Sequence, residues 1–239
     1  MTHDQGERLA LAAALATACR RLHARGLLAG AEGNLSARLP DGELLITASG
    51  VDKGTIEPWQ VLRLRADGTR CHDEVMNVTA GDSAGRDSRL RASSEVGMHL
   101  AGYAARPDVM AIVHAHPPAA TGFATAGVPL PADVLPEVPV VIGPMALVPY
   151  GRPGTAALAE VLAPFLAAHE VFLLANHGVT VFGTSVTDAL LRMESVEQAA
   201  RIVAIARVLG GEQRLDPTEA VVLASLRARY EDAEGARTH

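Results

Sequence analysis

The sequence predicts one α/β domain over residues 1–239, with a mostly antiparallel central sheet covered by helices. Two observations support this fold class. Strand-like segments occur in groups as well as in alternation with helix-like segments, which disfavours a doubly wound parallel sheet. A chain of 239 residues is also long enough to bury a sizeable core, and it shows no internal repeat or low-complexity linker.

The first third of the chain predicts a helix followed by three strands. Apolar residues over 6–28 recur with helical spacing, and glycines follow them. The segments "NLSARL" and "ELLITAS" are typical of short strands around a turn at Pro40-Asp41-Gly42. The segment "VLRLRADG" alternates leucine with arginine and predicts a third strand. Residues 71–92 are polar and nonperiodic, which indicates a surface loop.

The remainder alternates helices and strands. Ser93 and Ser94 begin a predicted helix over "SSEVGMHLAGYAA", because serine favours helix N-termini. The segment "DVMAIVHAH" predicts a buried strand. Further expectations are a helix over 117–127, a strand at "VPVVIG" (138–143), a helix over 154–169, two strands in "VFLLANHGVTVFG" (171–183), and helices over 185–209 and 216–231.

Composition excludes several classes of protein. The formal net charge is −6 without a basic cluster, which argues against a nucleic-acid partner. Cys19 and Cys71 form neither a Cys-x-x-Cys motif nor a disulfide framework. The N-terminal residues show no signal-peptide pattern, and the apolar runs are too short to cross a bilayer. We therefore expect a cytoplasmic protein without a membrane partner.

Histidines at strand ends indicate a candidate metal site. His114 and His116 are two residues apart, so a strand would direct both imidazoles to one face. His177 also ends an apolar run, and Glu95 stands at a helix start. Three ligands plus a carboxylate suit a catalytic zinc site. The alternative interpretation is a set of structural histidines and a helix-capping glutamate. His99 is interpreted as a supporting residue.

Three short segments rich in small residues indicate an anion pocket. Glycine lets backbone N–H groups approach a ligand, and helix N-termini attract anions. Such segments also occur as ordinary turns and caps. The residues concerned are Gly33 and Asn34, Ser49 and Gly50, and Ser93 and Ser94.

Four motifs in order resemble the class II aldolase/adducin family, with the fuculose-1-phosphate aldolase type nearest. They are "GNLSAR", "LLITASGV", "SSEVGMHLAGYAARPDVMAIVHAHPPAA" and "FLLANHGVTVFG". The resemblance extends from about residue 7 to 231. It implies a three-layer α/β sandwich, a small phosphorylated substrate, and a cyclic homotetramer with active sites between neighbouring subunits.

The resemblance also implies roles for the candidate residues. His114, His116 and His177 correspond to zinc ligands, although such sites also accept manganese or cobalt. Glu95 corresponds to the fourth ligand of the resting site and to the catalytic acid/base. Asn34 would also steady an enediolate. The implied phosphate-binding set is Gly33, Asn34, Ser49, Gly50, Ser93 and Ser94.

The chain departs from the family aldolases at the two tyrosines. Leu135 occupies the position of the loop tyrosine, and Tyr230 lies about one position from the tyrosine that enters from a neighbouring subunit. We therefore predict Tyr230 as a catalytic candidate. Arg152 could bind a substrate carboxylate or be simply exposed. The loop at 71–92 is longer than in short aldolases.

Three functions remain open from the sequence. The first is a metal-dependent aldolase that cleaves a phosphorylated ketose. The second is a decarboxylase or dehydratase of a sugar acid or oxo-acid. The absence of the loop tyrosine at Leu135 makes this second function a near competitor of the first. The third is an adducin-like module without catalysis, although adducins lack the metal set that this chain retains. Metal content separates the third from the others, and product analysis separates the first two.

Overall fold

The computed structural model describes residues 3–71 and 89–235, with side chains up to residue 227 in the last helix. Seven strands form one sheet, and six helices flank it within the described residues. The helices are α1 (His3–Ala24), α2 (Val96–Ala105), α3 (Pro118–Ala126), α4 (Ala156–Leu162), α5 (Val186–Val208) and α6 (Pro217–Gly235). The strands are β1 (Asn34–Arg38), β2 (Leu44–Thr47), β3 (Val61–Leu64), β4 (Ala111–Ala115), β5 (Met145–Val148), β6 (Val171–Leu174) and β7 (Gly178–Gly183).

The sheet has the order β3-β2-β1-β4-β7-β6-β5. Every neighbouring pair is antiparallel except β5 and β6, which run parallel. The predicted fold class, an α/β sandwich around a mostly antiparallel sheet, is therefore confirmed. The register places Asn34 opposite His114 and His114 opposite Thr180. Three strands distant in sequence thus meet at the centre of the sheet.

The two faces of the sheet are covered by different helices. Helix α2 packs closely on one face, where a Cβ added to Gly102 would lie 2.6 Å from the Phe182 ring. Helices α1, α3 and α5 contact the other face. There a Cβ added to Gly183 would lie 2.6 Å from the backbone nitrogen of Ala189 in α5. Because side chains alternate along a strand, His114 and Asn34 both point toward α2.

The predicted strand over 138–143 is wrong. Residues Val138–Ile142 form a π-helical turn, which the Gly143 N–H closes on the Val138 carbonyl at 2.9 Å. Pro139 has no N–H to donate to a sheet ladder, which disfavours a strand there. Gly143 has a φ of 80°, and the edge strand β5 begins two residues later.

The predicted helix over 154–169 is shorter than expected. Helix α4 ends at Leu162, and a 3₁₀ turn over Ala163–Phe165 follows it. Pro164 explains this end, because proline lacks the N–H of a continuing helix and clashes with the preceding turn. Residues 72–88 of the predicted loop at 71–92 lie outside the described residues. Among the described helices, none combines the length and apolarity needed to cross a membrane.

Candidate metal centre and anion rim

Three histidines converge at one end of the sheet. His114 lies in β4, His116 follows the end of that strand, and His177 lies in the turn between β6 and β7. Gly178 makes room for them, since a Cβ there would lie 2.4 Å from the His116 ring. Asn176 adopts a φ of 55°, a left-handed conformation that asparagine tolerates. This turn directs His177 toward the other two rings.

The ring nitrogens are close enough to share one ion. One ligand nitrogen from each of His114, His116 and His177 lies within 4.8 Å of the others. We call these three residues together with Glu95 the histidine cluster. The Glu95 carboxylate lies 3.3 Å from His114 Nε2 and 3.1 Å from His177 Nε2. The contact to His177 is an ion-pair distance without hydrogen-bond geometry, because Glu95 Oε1 has no hydrogen-bond partner among the described residues.

Hydrogen bonds set the tautomers of two of the histidines. His114 Nδ1 lies 3.1 Å from the Val179 carbonyl, so this nitrogen carries the proton and donates it. His116 Nδ1 lies at an ion-pair distance of 3.2 Å from the Glu32 carboxylate, which favours the proton on that nitrogen. The Nε2 lone pairs therefore face each other at 3.2 Å. Two facing lone pairs repel, and a cation between them removes that repulsion. The residues present fit a divalent metal.

The charges in the cluster also suit a metal. Burial lowers the pKa of His114 to about 3, and burial likewise lowers the pKa of His116. Burial by itself raises the pKa of the Glu95 carboxyl, but contacts with two histidines and Asn34 outweigh it and hold that pKa at about 2. At neutral pH these two imidazoles are neutral and the carboxylate is ionised, which is the state in which they bind metals.

Asn34 orients the Glu95 carboxylate. Its Nδ2 donates to Glu95 Oε2 at 2.8 Å, and its Oδ1 accepts from His99 Nε2 at 2.5 Å. A carboxylate only accepts, so the amide group must present nitrogen to Glu95 and oxygen to His99. His99 therefore carries its proton on Nε2. Burial lowers the pKa of His99 to about 4, which keeps the ring neutral.

The same direction of hydrogen-bond donation continues at the other ring nitrogen of His99, through Ser36 to Tyr103. His99 Nδ1 accepts from the Ser36 hydroxyl at 2.6 Å, and the Tyr103 hydroxyl lies 2.8 Å from that of Ser36. Since the Ser36 proton is already donated, Tyr103 must donate to Ser36. Ser36 in β1 and Tyr103 in α2 are both buried where this helix packs on the sheet. They complete a chain of donors that ends at Glu95 and fixes the side chain of Asn34.

The other predicted binding residues form what we call the anion rim: Gly33, Ser49, Gly50, Ser93 and Ser94. Ser49 and Gly50 are exposed after β2, and the Ser49 N–H donates to the Arg91 carbonyl at 2.9 Å. This hydrogen bond joins the segment after β2 to the segment that leads into Ser93. The Ser93 hydroxyl accepts from the Glu95 N–H at 3.2 Å, so it also stabilises the backbone just before α2. Ser94 is exposed.

The three remaining candidates are Leu135, Arg152 and Tyr230. Leu135 lines a cavity of about 600 Å³ between the π-helical turn and α5. Arg152 is exposed in the turn before α4, and its carbonyl accepts from the Thr155 hydroxyl. Tyr230 belongs to α6, but its side chain lies outside the described residues. The structure therefore adds nothing to the catalytic role predicted for Tyr230.

Several supporting residues of the cluster carry no clear signal in the sequence. Glu32 holds His116 Nδ1, and the Thr180 hydroxyl lies 3.1 Å from His114 Nδ1. Glu197 in α5 accepts from the N–H groups of Ala119 and Ala120 at the start of α3. This start directly follows the His116 segment. The position of Glu32 beside the "GN" motif was the available signal for that residue. Nothing local in the sequence marks Glu197.

Comparison with known proteins gives one family. A family model described as "Class II Aldolase and Adducin N-terminal domain" matches residues 13–204. The chain is 36% identical over 185 residues to the 3-oxo-tetronate 4-phosphate decarboxylase of Escherichia coli K12, covering 76% of this chain and 80% of that protein. It is 32% identical over 195 residues to the 5-methylthioribulose-1-phosphate/5-deoxyribulose-1-phosphate aldolase of Rhodospirillum rubrum, covering 82% and 80%.

Solved structures agree with this result. YgbL of Klebsiella pneumoniae, titled a putative aldolase/epimerase/decarboxylase, superposes with a TM-score of 0.77 at 30% identity. The alignment covers 90% of this chain and 98% of that one. An L-fuculose 1-phosphate aldolase gives a TM-score of 0.78 at 28% identity, covering 90% and 94%.

Proposed function

The chain belongs to the class II aldolase and adducin family, and from that premise we propose that it is a metal-dependent decarboxylase of a small phosphorylated 3-oxo acid. The observation that carries the proposal is the convergence of three imidazoles on an ionised Glu95 that Asn34 holds in place. A relative that is 36% identical is a 3-oxo-tetronate 4-phosphate decarboxylase, and similar relatives carry the same name. We extend that substrate class to this chain.

Leu135 supports decarboxylation over aldol cleavage. Leucine stands where the aldolases that this chain resembles have a tyrosine implicated in the chemistry. A leucine side chain cannot exchange a proton with a departing aldehyde. Decarboxylation releases carbon dioxide, which needs no proton on its oxygen. A leucine at the tyrosine position is therefore compatible with a decarboxylase. Decarboxylation accordingly replaces aldol cleavage as our first choice of reaction.

The metal that we propose is zinc. Three imidazoles with one exchangeable carboxylate are a frequent ligand set of catalytic zinc, and manganese or cobalt can occupy similar sites. His114, His116 and His177 would hold the ion. A divalent cation bound there would act as a Lewis acid toward the negative charge that develops on the substrate. Imidazole ligands carry no negative charge, so they would leave the charge of the ion undiminished for that task.

The residues of the chain then have distinct roles in the reaction. The bond between C1 and C2 breaks, carbon dioxide leaves, and the electron pair moves onto the 3-oxo oxygen. A proton from solvent subsequently bonds to C2. Glu95 is placed to pass that proton, because its carboxylate is ionised and 9% exposed. Asn34 keeps the carboxylate oriented, since its Nδ2 holds one carboxylate oxygen.

The anion rim would bind the phosphate of the substrate. Its residues Ser93 and Ser94 directly precede the start of α2, where backbone N–H groups favour an anion. Fixing the phosphate at the rim orients the C1–C2 bond at the histidine cluster. We further propose a homotetramer with active sites at subunit interfaces, in which Tyr230 enters a neighbouring site.

The proposal is tested by product analysis. Purified protein loaded with zinc is incubated with 3-oxo-tetronate 4-phosphate, and carbon dioxide and the triose phosphate are measured. We expect both in equal amounts, and a Glu95→Gln variant should produce neither. The absence of carbon dioxide with fully loaded protein would contradict the proposal.

Aldol cleavage is the second candidate, because one relative at 32% identity is a sugar-phosphate aldolase. The same protein is incubated with fuculose 1-phosphate and 5-deoxyribulose 1-phosphate. Release of an aldehyde with dihydroxyacetone phosphate would favour this candidate. A protein that binds no divalent metal would instead favour the adducin-like function.

A further inference from the structure

Lys53 is the one lysine among the 21 lysine and arginine residues of the chain. The sequence uses arginine at every other basic position, including the surface positions where lysine is usually common. Lys53 is therefore the one side chain of the sequence that ends in an ammonium group. The structure shows what this group contacts.

The Lys53 ammonium is buried and bonded to three backbone carbonyls. The side chain is 1% exposed. Its Nζ lies 2.9 Å from the Val51 carbonyl and 3.4 Å from those of Ala48 and Ala31. Three acceptors match the three protons of a charged ammonium, whereas a neutral amine has two. A planar guanidinium could not direct three protons from one atom.

No carboxylate neutralises this charge at close range among the described residues. Asp52 is the nearest acidic side chain in sequence, but its oxygens accept from the Gly54 N–H and the Thr55 hydroxyl. The neighbouring Cys19 thiol is also neutral, because burial raises its pKa to about 12. The positive charge of Lys53 therefore acts on its surroundings. A buried charge is costly unless something compensates it.

The three carbonyls belong to the two loops that carry the first half of the anion rim. Ala48 and Val51 flank Ser49 and Gly50, and Ala31 precedes Gly33 by two residues. The backbone N–H of Lys53 also donates to the Gly30 carbonyl at 2.8 Å. Lys53 thus bonds to both loops, through its ammonium group and through its backbone N–H.

We propose that Lys53 is a positioning residue for phosphate: its ammonium holds the two rim loops together and supplies the positive charge that a phosphate dianion needs, without touching the dianion. This inference rests on the proposed function of the rim. The ligand class is a phosphate monoester dianion. Without Lys53, the two loops would offer only backbone dipoles to the negative charge of this ligand.

The test compares three variants of the metal-loaded protein by calorimetric titration with inorganic phosphate. Lys53→Met removes the charge at similar length, Lys53→Arg keeps the charge with the wrong shape, and Arg65→Met removes an exposed charge as the matched control. We expect Lys53→Met to weaken phosphate binding about tenfold or more. Lys53→Arg should weaken it less, and Arg65→Met should leave it unchanged. Metal content should stay at the wild-type value in all three.

Equal phosphate affinity in wild type and Lys53→Met would overturn the inference, even if the variant melts at a lower temperature. The proposed function would survive that result, since wild-type phosphate binding and decarboxylation are measured separately. A wild type that decarboxylates an oxo-acid but ignores phosphate would overturn the inference together with the phosphate part of the proposed function.

A second measurement needs no variant. Because the chain has one lysine, protein labelled with ¹⁵N-lysine gives one side-chain ammonium signal. We expect this signal to shift on addition of inorganic phosphate in the wild type. An ammonium signal that does not move at saturating phosphate would overturn the inference independently of how stable the variants are.

Discussion

The histidine cluster and the anion rim lie beside each other but are built differently. The cluster residue His114 is fixed by a strand ladder, with Asn34 and Thr180 opposite it on the two neighbouring strands. The rim residues Ser49 and Ser94 lie in exposed loops outside the ladder. A strand and the turns at strand ends position the three imidazoles, whereas the buried Lys53 ammonium bonds to backbone carbonyls of the loops that carry part of the rim. Metal binding and substrate binding should therefore respond to different substitutions.

The largest expected effect comes from removing two ligands of the cluster. The double variant His114→Ala, His116→Ala should fall from about one divalent metal per chain to below detection, with loss of decarboxylation. Elemental analysis of purified protein measures this. His3→Ala is the matched control, because His3 is exposed at the start of α1. Unchanged metal content in the double variant would show that the cluster is not the metal site.

The next largest effect is expected at Asn34, which separates catalysis from metal binding. Asn34→Ala removes the donor that orients Glu95, so kcat should fall about 10²–10³-fold while metal content is retained. Steady-state kinetics and elemental analysis on the same preparation test this. The exposed Gln213→Ala serves as control. A kcat within twofold of the wild type would exclude an orienting role for Asn34.

Acid should destabilise the metal-free protein through the buried His99 that supports Asn34. The pKa of His99 is about 4 in the folded chain against an ordinary value of 6.5. The unfolded chain therefore takes up the proton first as the pH falls below 6.5, and the free energy of unfolding decreases down to about pH 4. This shift corresponds to about 3 kcal/mol.

Urea unfolding of metal-free protein between pH 7.5 and pH 4.5, roughly spanning that window, measures this contribution. A His99→Gln variant should be less stable at neutral pH and show a shallower dependence of stability on pH. Parallel pH profiles for wild type and variant would mean that His99 is not the group responsible.

The smallest expected effect concerns Glu32, which contacts the cluster from its exposed side. Glu32→Gln weakens the acceptor for His116 Nδ1, so metal affinity should fall about 10–100-fold without loss of the site. Competition with a chromophoric chelator measures the change. Glu160→Gln, an exposed position in α4, is the matched control. Equal affinities would show that Glu32 does not orient His116.

Much of the fold was predictable because local signals were strong. Helices α3 and α5 lie within a residue or two of the prediction, since proline, serine and glycine mark their ends. The segment over 138–143 was not predictable, because a short apolar run fits a strand or a helix equally. Its proline and the packing against α5 decided for a helical turn, and strand β5 was missed as a result.

The sequence by itself predicted the cluster in two steps. Spacing within one strand places His114 and His116 on one face, and the resemblance of four motifs to a known family added His177 and Glu95. The order of four motifs likewise determined the family. Only the tertiary structure decided how these groups are supported. Hydrogen bonds between residues 61 or more positions apart, such as Asn34 to Glu95, and the burial of Lys53 beneath two loops arise from packing. No local pattern encodes such contacts, since they depend on which strands become neighbours.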